Sequence, residues 1–191
     1  MKTLIIYAHP DTGGHCAAIL DEVTEELKKR KQDFELLDLY KMKYDPILHE
    51  NEHYTRGNQD VSKQNKDIQK KISGSKHLIF IYPVWWGSMP AILKGFFDRV
   101  FVSGYAFRYK GLKLNQLLRG RKAAVFITKG APLALAYLVQ GNRPQDLIKK
   151  DILGFCGIRA KVLQLGNATR WSESKRPKIR KLVDKGLRFL Y

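Results

Sequence analysis

The chain has only two cysteines, Cys16 and Cys156, in 191 residues, and they stand far apart in sequence. Neither belongs to a CxxC pair or to a Cys/His ligand spacing, so two buried thiols in a reducing compartment are expected. The five histidines, His9, His15, His49, His53 and His77, show no HExxH pattern. His49 and His53 share a polar, loop-like stretch without a third ligand, so no metal site is expected. Long apolar runs are missing too. Leu4 to Ala8 and Leu78 to Ile81 are far too short to cross a bilayer, and no transmembrane segment is expected. The first run is also shorter than the apolar region of a secretory signal, which points to a cytoplasmic protein. No Ser/Gly/Pro-rich linker and no repeat divides the sequence. Its 44% hydrophobic content is therefore expected to form one domain, residues 1–191, around a sizeable core.

Acidic residues are scarce. Only 18 aspartates and glutamates face 35 lysines and arginines, giving a net charge of +17. Such an excess often marks nucleic-acid binding. Here the bases are spread along the chain, at Lys28 to Lys31, Lys70-Lys71, Arg119 to Lys122, Lys149-Lys150 and Arg176 to Lys185. Most fall on the polar faces or ends of predicted helices, and no nucleic-acid motif accompanies them. A solvated basic surface is the expectation, and nucleic acid is not an expected partner.

What the sequence does contain is an alternation of short apolar strands with amphipathic helices. Thr3 to Ala8 is a continuous apolar run, as in a strand buried on both faces of a parallel sheet. A helix is predicted from about Cys16 to Lys31, with Ala17, Leu20, Val23, Thr24 and Leu27 on one stripe. Phe34 to Leu39 is a second strand, Tyr40 to Val61 a polar loop, and Lys63 to Ile72 a helix. His77 to Tyr82 is a third strand. Pro90 to Val102 reads as a helix with proline in its first turn. Tyr105, Phe107 and Tyr109 alternate through a hairpin-like excursion. Ala123 to Thr128 and Ala160 to Leu165 complete five strands, with helices near Gln145 to Phe155 and Ser174 to Leu190. The fold expected is α/β: a doubly wound five-stranded parallel sheet with helices on both faces. Ligands of such sheets bind beyond the carboxyl ends of the strands. The loops that begin at His9, Pro83 and Lys129 are where a site is expected.

The first loop, His9-Pro10-Asp11-Thr12-Gly13-Gly14-His15-Cys16-Ala17, runs from a buried strand into a helix. Its glycines allow close approach of backbone to a ligand, and the free amides at the helix start suit an anion. His9 and Thr12 add side-chain donors for a phosphate. The loop fits neither GxGxxG nor the GxxxxGK[ST] pattern. The second loop, Tyr82 to Pro90, places Trp85 and Trp86 side by side among Pro83, Gly87 and Pro90. Both cannot enter the core, so an aromatic wall facing a cleft or a partner is expected. Such a wall suits a flat, hydrogen-bonding ring.

The stretch Tyr82-Pro-Val-Trp-Trp-Gly-Ser-Met-Pro-Ala-Ile-Leu-Lys-Gly-Phe-Phe-Asp-Arg-Val-Phe101 closely resembles the signature of the NAD(P)H:quinone oxidoreductase (DT-diaphorase-like) family of flavodoxin-fold enzymes. The resemblance spans nearly the whole chain, including Ala8-His9, Asp38-Leu39-Tyr40 and Gly154-Phe-Cys-Gly157. It implies a flavodoxin-like fold, a bound flavin and two-electron transfer from NADPH or NADH to a quinone. FAD is the cofactor it implies, with FMN as the alternative.

By that resemblance His9, Thr12 and the segment Gly13, His15, Cys16 and Ala17 hold the flavin phosphates. Pro83, Val84, Trp85, Trp86 and Gly87 line the isoalloxazine ring. Thr128, Lys129 and Gly130 resemble a Thr-Thr-Gly-Gly turn near the ring's pyrimidine edge. Tyr137, in Tyr137-Leu-Val-Gln140-Gly141, matches an active-site tyrosine, and Arg143 falls where the best-known members carry a catalytic histidine. There are departures. A small polar residue of the first loop, often Asn, becomes Cys16 or His15, and the second Thr becomes Lys129. The stretch from Gly130 to Tyr137 is one residue longer than the pattern. Arg143 is permanently charged and cannot shuttle a proton. The resemblance also implies a homodimer that buries Phe101 and the Tyr105–Tyr109 excursion between subunits. The rival readings are an FMN-dependent azo or nitro reductase, and a flavin-binding regulatory subunit of a membrane transporter, a peripheral membrane partner.

Overall fold

The computed structural model describes residues 2–53 and 60–191, so part of the polar loop read at Tyr40 to Val61 lies outside the described residues. Five strands form one parallel sheet: β1 (Thr3–Tyr7), β2 (Phe34–Asp38), β3 (His77–Pro83), β6 (Lys122–Thr128) and β7 (Arg159–Leu165). Their spatial order is β2-β1-β3-β6-β7. Between β3 and β6, the short strands β4 (Phe107–Lys110) and β5 (Lys113–Gln116) pair antiparallel as the expected hairpin. β1 and β3 are buried at every position, which explains their unbroken apolar sequence.

Helices cover both faces. On one, α2 (Lys63–Ser73) and α3 (Ala91–Val100) pack Ile68, Ile72, Leu93, Phe96 and Val100 against Leu4, Ile6, Phe80 and Val125. On the other, α1 (Gly14–Lys29) and α6 (Arg176–Leu190) pack Ile19, Val23, Leu27, Val183 and Leu187 against Ile5, Ile79 and Phe126. These are doubly wound layers around a sheet whose strand order reverses between β1 and β3. The crevice at that reversal opens above the carboxyl ends of the two strands.

Several boundaries differ from expectation. α1 begins at Gly14, two residues before Cys16, and Pro90 caps α3 instead of entering it. The chain from Leu133 to Gln140, for which the sequence pattern predicts no element, is a helix, α4. Its sequence LALAYLVQ is apolar nearly all round, so no amphipathic stripe marks it. Pro132 before it and Gly141 after it are the punctuation that betrays it. The helix read at Gln145 to Phe155 is two pieces, α5 (Arg143–Asp146) and a wider π-wound segment, Leu147–Gly154. The wide turn presses the Lys149 carbonyl to 2.8 Å from where a Cβ on residue 154 would stand, and glycine fills that position.

Candidate active site

The three loops singled out in the sequence meet at the carboxyl end of the sheet. Thr128 pairs in register with Pro83, and the Val84 amide donates to the Thr128 carbonyl at 2.8 Å. The second and third loops therefore leave the sheet joined. The third is also tied to the turn after β7. The Lys129 amide donates to Leu165, the Ala168 amide to the Lys129 carbonyl and the Asn167 amide to Ala131. That turn was not anticipated, although Gly166-Asn167 is a turn-forming pair and Asn167 adopts φ 55°.

In the first loop, His9 Nδ1 lies 3.1 Å from both the amide and the carbonyl of Asp11, which fixes the ring over that turn in either tautomer. Tyr7 donates to the Asp11 carbonyl, and the Gly13 amide donates to the Asp11 carboxylate at 2.9 Å. Burial, with the neighbouring Cys16 and acidic groups, raises the Tyr7 phenol well above its ordinary range, so it stays protonated. Past Gly13, no side chain caps α1 and its first turn carries no acid. The amides of that turn are left for an anion. Thr12 and Gly13 are exposed beside them.

His15, Cys16 and Ala17 point the other way, into the core. Cys16 Sγ lies 3.4 Å from Thr128 Oγ1, and burial pushes its thiol up to about 12, so it is an unreactive packing group. His15 sits edge-on to Trp171, with ring centroids 5.2 Å apart and a buried Nε2 that lacks a partner. Burial, then Lys175, lowers its pKa and keeps the ring neutral. Of these three, only backbone groups are offered to the crevice by the first turn of α1.

The second loop is a two-residue turn. Trp85 and Ser88 exchange both backbone hydrogen bonds at 2.9 Å, with Trp86 at φ 50° and Gly87 at φ 75° between them. Left-handed backbone at both central positions defines a type I′ turn, in which Gly is at home and Trp is strained. Trp86 is fully exposed and Trp85 is 42% exposed, its ring 6.0 Å from that of His9. The Trp86 ring therefore buries no surface within the chain, and its backbone strain is not repaid by packing. A Cβ on Gly87 would lie 3.7 Å from the Gln140 side chain, so the end of α4 abuts this turn.

Lys129 opens the third loop. It is 5% exposed, its pKa is lowered by burial, and its side chain has no hydrogen bond or ion pair among the described residues. Gly130 beside it is exposed. Tyr137 stands half-exposed on α4. Arg143 donates from Nε to the Gln140 carbonyl at 3.0 Å, which fixes it at the end of that helix. The structure thus brings His9, Thr12, Gly13, Trp85, Trp86, Lys129 and Gly130 to one end of the sheet. Leu135, Leu138 and Val139 of α4 are exposed as well and were not anticipated.

A different depression of about 610 Å³ lies between α3, the hairpin and the π-wound segment, lined by Phe97, Phe101, Phe107, Tyr109, Ile152 and Phe155. It is apolar and holds none of the anticipated site residues.

The model of the Flavodoxin-like fold family (Flavodoxin_2) matches residues 1–187. The chain belongs to that family. It is 31% identical over 185 residues to NAD(P)H dehydrogenase [quinone] 1 of Cavia porcellus, covering 86% of this chain and 67% of that protein. The structure of an NAD(P)H:quinone oxidoreductase from Methanothermobacter marburgensis superposes with a TM-score of 0.85 at 25% identity, covering all of this chain and 96% of that one. An FMN-dependent NADH-azoreductase from Bacillus anthracis, in complex with FMN, shares the fold at TM-score 0.81 and 19% identity, each chain covered completely. The sheet order β2-β1-β3-β6-β7 is the flavodoxin-like one, with its ligand crevice at the β1/β3 reversal.

The residues at that crevice fit a flavin. The uncapped start of α1 suits phosphate, the tryptophan turn suits the ring face, and the unpaired Lys129 suits a ring edge that carries negative charge.

Proposed function

We propose that the chain is a flavin-dependent NAD(P)H:quinone reductase of the cytoplasm. The observation that carries this reading is the tryptophan turn held over β3 and β6 beside the uncapped start of α1, in a chain similar to quinone reductases. When bound, the flavin supplies the redox chemistry, accepting a hydride from NADH or NADPH and passing two electrons to a quinone. The protein binds, orients and shields. First-turn amides of α1, with His9 and Thr12, hold phosphate. Pro83, Val84, Trp85, Trp86 and Gly87 form one wall for the ring, and Thr128, Lys129 and Gly130 meet its polar edge. Tyr137 donates to that edge or to the acceptor oxygen. Arg143 stabilises negative charge without giving up a proton. FAD is the cofactor we assign from the resemblance, and the fold shared with an FMN-bound azoreductase makes FMN the alternative. The buried, unpaired thiols of Cys16 and Cys156 agree with a reducing compartment.

A second copy of the chain occupies the apolar depression at Phe101, Phe107 and Tyr109 in this reading, giving an isologous dimer. Light scattering on the size-excluded protein tests it: a dimer is expected, and Tyr109→Glu should shift it towards monomer. The principal test is enzymatic. NAD(P)H oxidation that depends on added quinone and bound flavin is expected. Turnover confined to azo compounds would favour the FMN-dependent azoreductase reading. Flavin uptake with no turnover of either acceptor would favour the transporter-subunit reading, to which the exposed Leu135, Leu138 and Val139 are suited.

A further inference from the structure

Two lysine or arginine side chains are buried among the described residues, Arg99 and Lys129. Arg99 donates to both carboxylate oxygens of Glu52, at 2.8 and 2.9 Å, and lies 3.1 Å from Asp45. Lys129 is as little exposed overall, its Nζ keeps a small opening to solvent, and its side chain has no such partner among the described residues. An ammonium largely withdrawn from water and left without a partner is costly, and a counter-charge brought by a ligand offsets that cost. Its backbone is pinned on both sides, through its own amide to Leu165 and its carbonyl to Ala168. The residue is held at the carboxyl end of β6 and is not a side chain in passing.

The place of Lys129 narrows what that counter-charge is. A phosphate at the start of α1 sits beside β1, and β3 and β6 follow in order across the sheet. β6 is two strand spacings from β1, roughly 10 Å. A ring system attached to a phosphate there and walled by the tryptophan turn would extend over β3 towards β6, where Lys129 stands. Oxidised isoalloxazine is neutral. Hydride transfer from NAD(P)H adds two electrons and one proton at N5, yields NAD(P)+ and leaves one negative charge along the N1–C2–O2 edge. A fixed cation at that edge favours the reduced ring over the oxidised one.

We propose that Lys129 is the counter-charge of the reduced flavin, a residue that touches the cofactor and sets its reduction potential in this chain. The proposal rests on the flavin reading of the site. Lys129 binds the ring edge through its ammonium and leaves the phosphate to α1. Oxidised flavin is thereby held more weakly than reduced flavin.

The test uses purified wild-type protein, K129M and K129R, each loaded with riboflavin and, separately, with FMN. The potential is read by equilibration with a reference dye, and oxidised-flavin affinity by fluorescence quenching. K129M is expected to lose at least tenfold in preference for the reduced state with both flavins. That is a fall of about 30 mV for a two-electron couple. K129R should stay within threefold of wild type. Without flavin, K129M should melt at or above the wild-type temperature, because an unpaired buried charge is removed. Unchanged potential in a K129M protein that binds flavin overturns the proposal and leaves the flavin reading standing. Weaker FMN binding with unchanged riboflavin binding and potential assigns Lys129 to phosphate and also overturns it. K129M melting far below wild type assigns Lys129 a purely structural role and overturns it as well. Wild-type protein that takes up neither flavin removes both readings together.

Discussion

The two ends of the central sheet treat charge in opposite ways. At the amino end of the strands, cations find partners within the chain. Lys2 and Lys71 both reach Glu35, Lys122 donates to the Leu190 carbonyl, and Arg121 donates to Ile72 and Ser73. Thr3 and the Tyr191 hydroxyl share a 2.6 Å hydrogen bond. α3 runs back towards that end and carries Arg99, clamped to Glu52. At the carboxyl end the pattern reverses: α1 starts without a side-chain cap, Trp86 is strained and bare, and Lys129 is little exposed with no counter-charge among the described residues. At the amino end the named cations are matched within the fold, while His77 Nδ1 is buried there without a partner. The carboxyl end leaves a helix start, a tryptophan and a lysine side chain without partners among the described residues.

This contrast can be broken at either end. The largest effect is expected from Arg99→Met, which leaves the Glu52 carboxylate buried without its cation and, among the described residues, held only by the His49 amide. A loss of about 3–5 kcal/mol is expected, seen as a lower denaturant midpoint. Next comes the open end. Saturating flavin at about 100 times its Kd should add about 2.7 kcal/mol, a melting shift of roughly 5–10 °C for a chain of this size. Equal melting with and without flavin would mean that the carboxyl end is not waiting for a ligand. Trp86→Gly removes the left-handed strain, so the flavin-free protein should gain up to about 1 kcal/mol. Its flavin affinity should fall, by about 0.5–1.5 kcal/mol of lost ring contact. A less stable flavin-free variant would show that Trp86 serves the fold after all.

The smallest effect is at Glu35. Hydrogen bonds from Lys2 and Lys71 hold its carboxyl below the ordinary glutamate range. A depressed folded pKa contributes stability above the unfolded value and loses it as pH falls through the folded one. Acid titration of stability should therefore be shallower in Glu35→Gln than in wild type. The difference should be under about 1 kcal/mol, because the pairs are partly exposed.

Most of the fold was legible because the strands are buried on both faces. Leu4–Ala8 and Leu78–Tyr82 carry that burial as unbroken apolar runs, and the Tyr105–Tyr109 alternation marks the hairpin. α4 was missed because its exposed leucines erase the amphipathic signal, leaving only Pro132 and Gly141 to mark its ends. The three loops were legible from their glycines, histidines and paired tryptophans. Their inner geometry was not. No one-dimensional signal tells that His15 and Cys16 turn inwards, or that the β7 turn is tied to Lys129. Nor does the sequence show that this lysine is buried. Each depends on contacts between segments distant in sequence, such as Cys16 with Thr128.

The central claim is that the carboxyl end of the sheet is a flavin site, and stoichiometric titration tests it most directly. Flavin-free protein titrated with FAD, then with FMN, should quench tryptophan fluorescence to an end point of one flavin per chain. A yellow absorbance band should remain after gel filtration. Failure of both flavins to saturate the protein, with tryptophan emission unchanged, would contradict it.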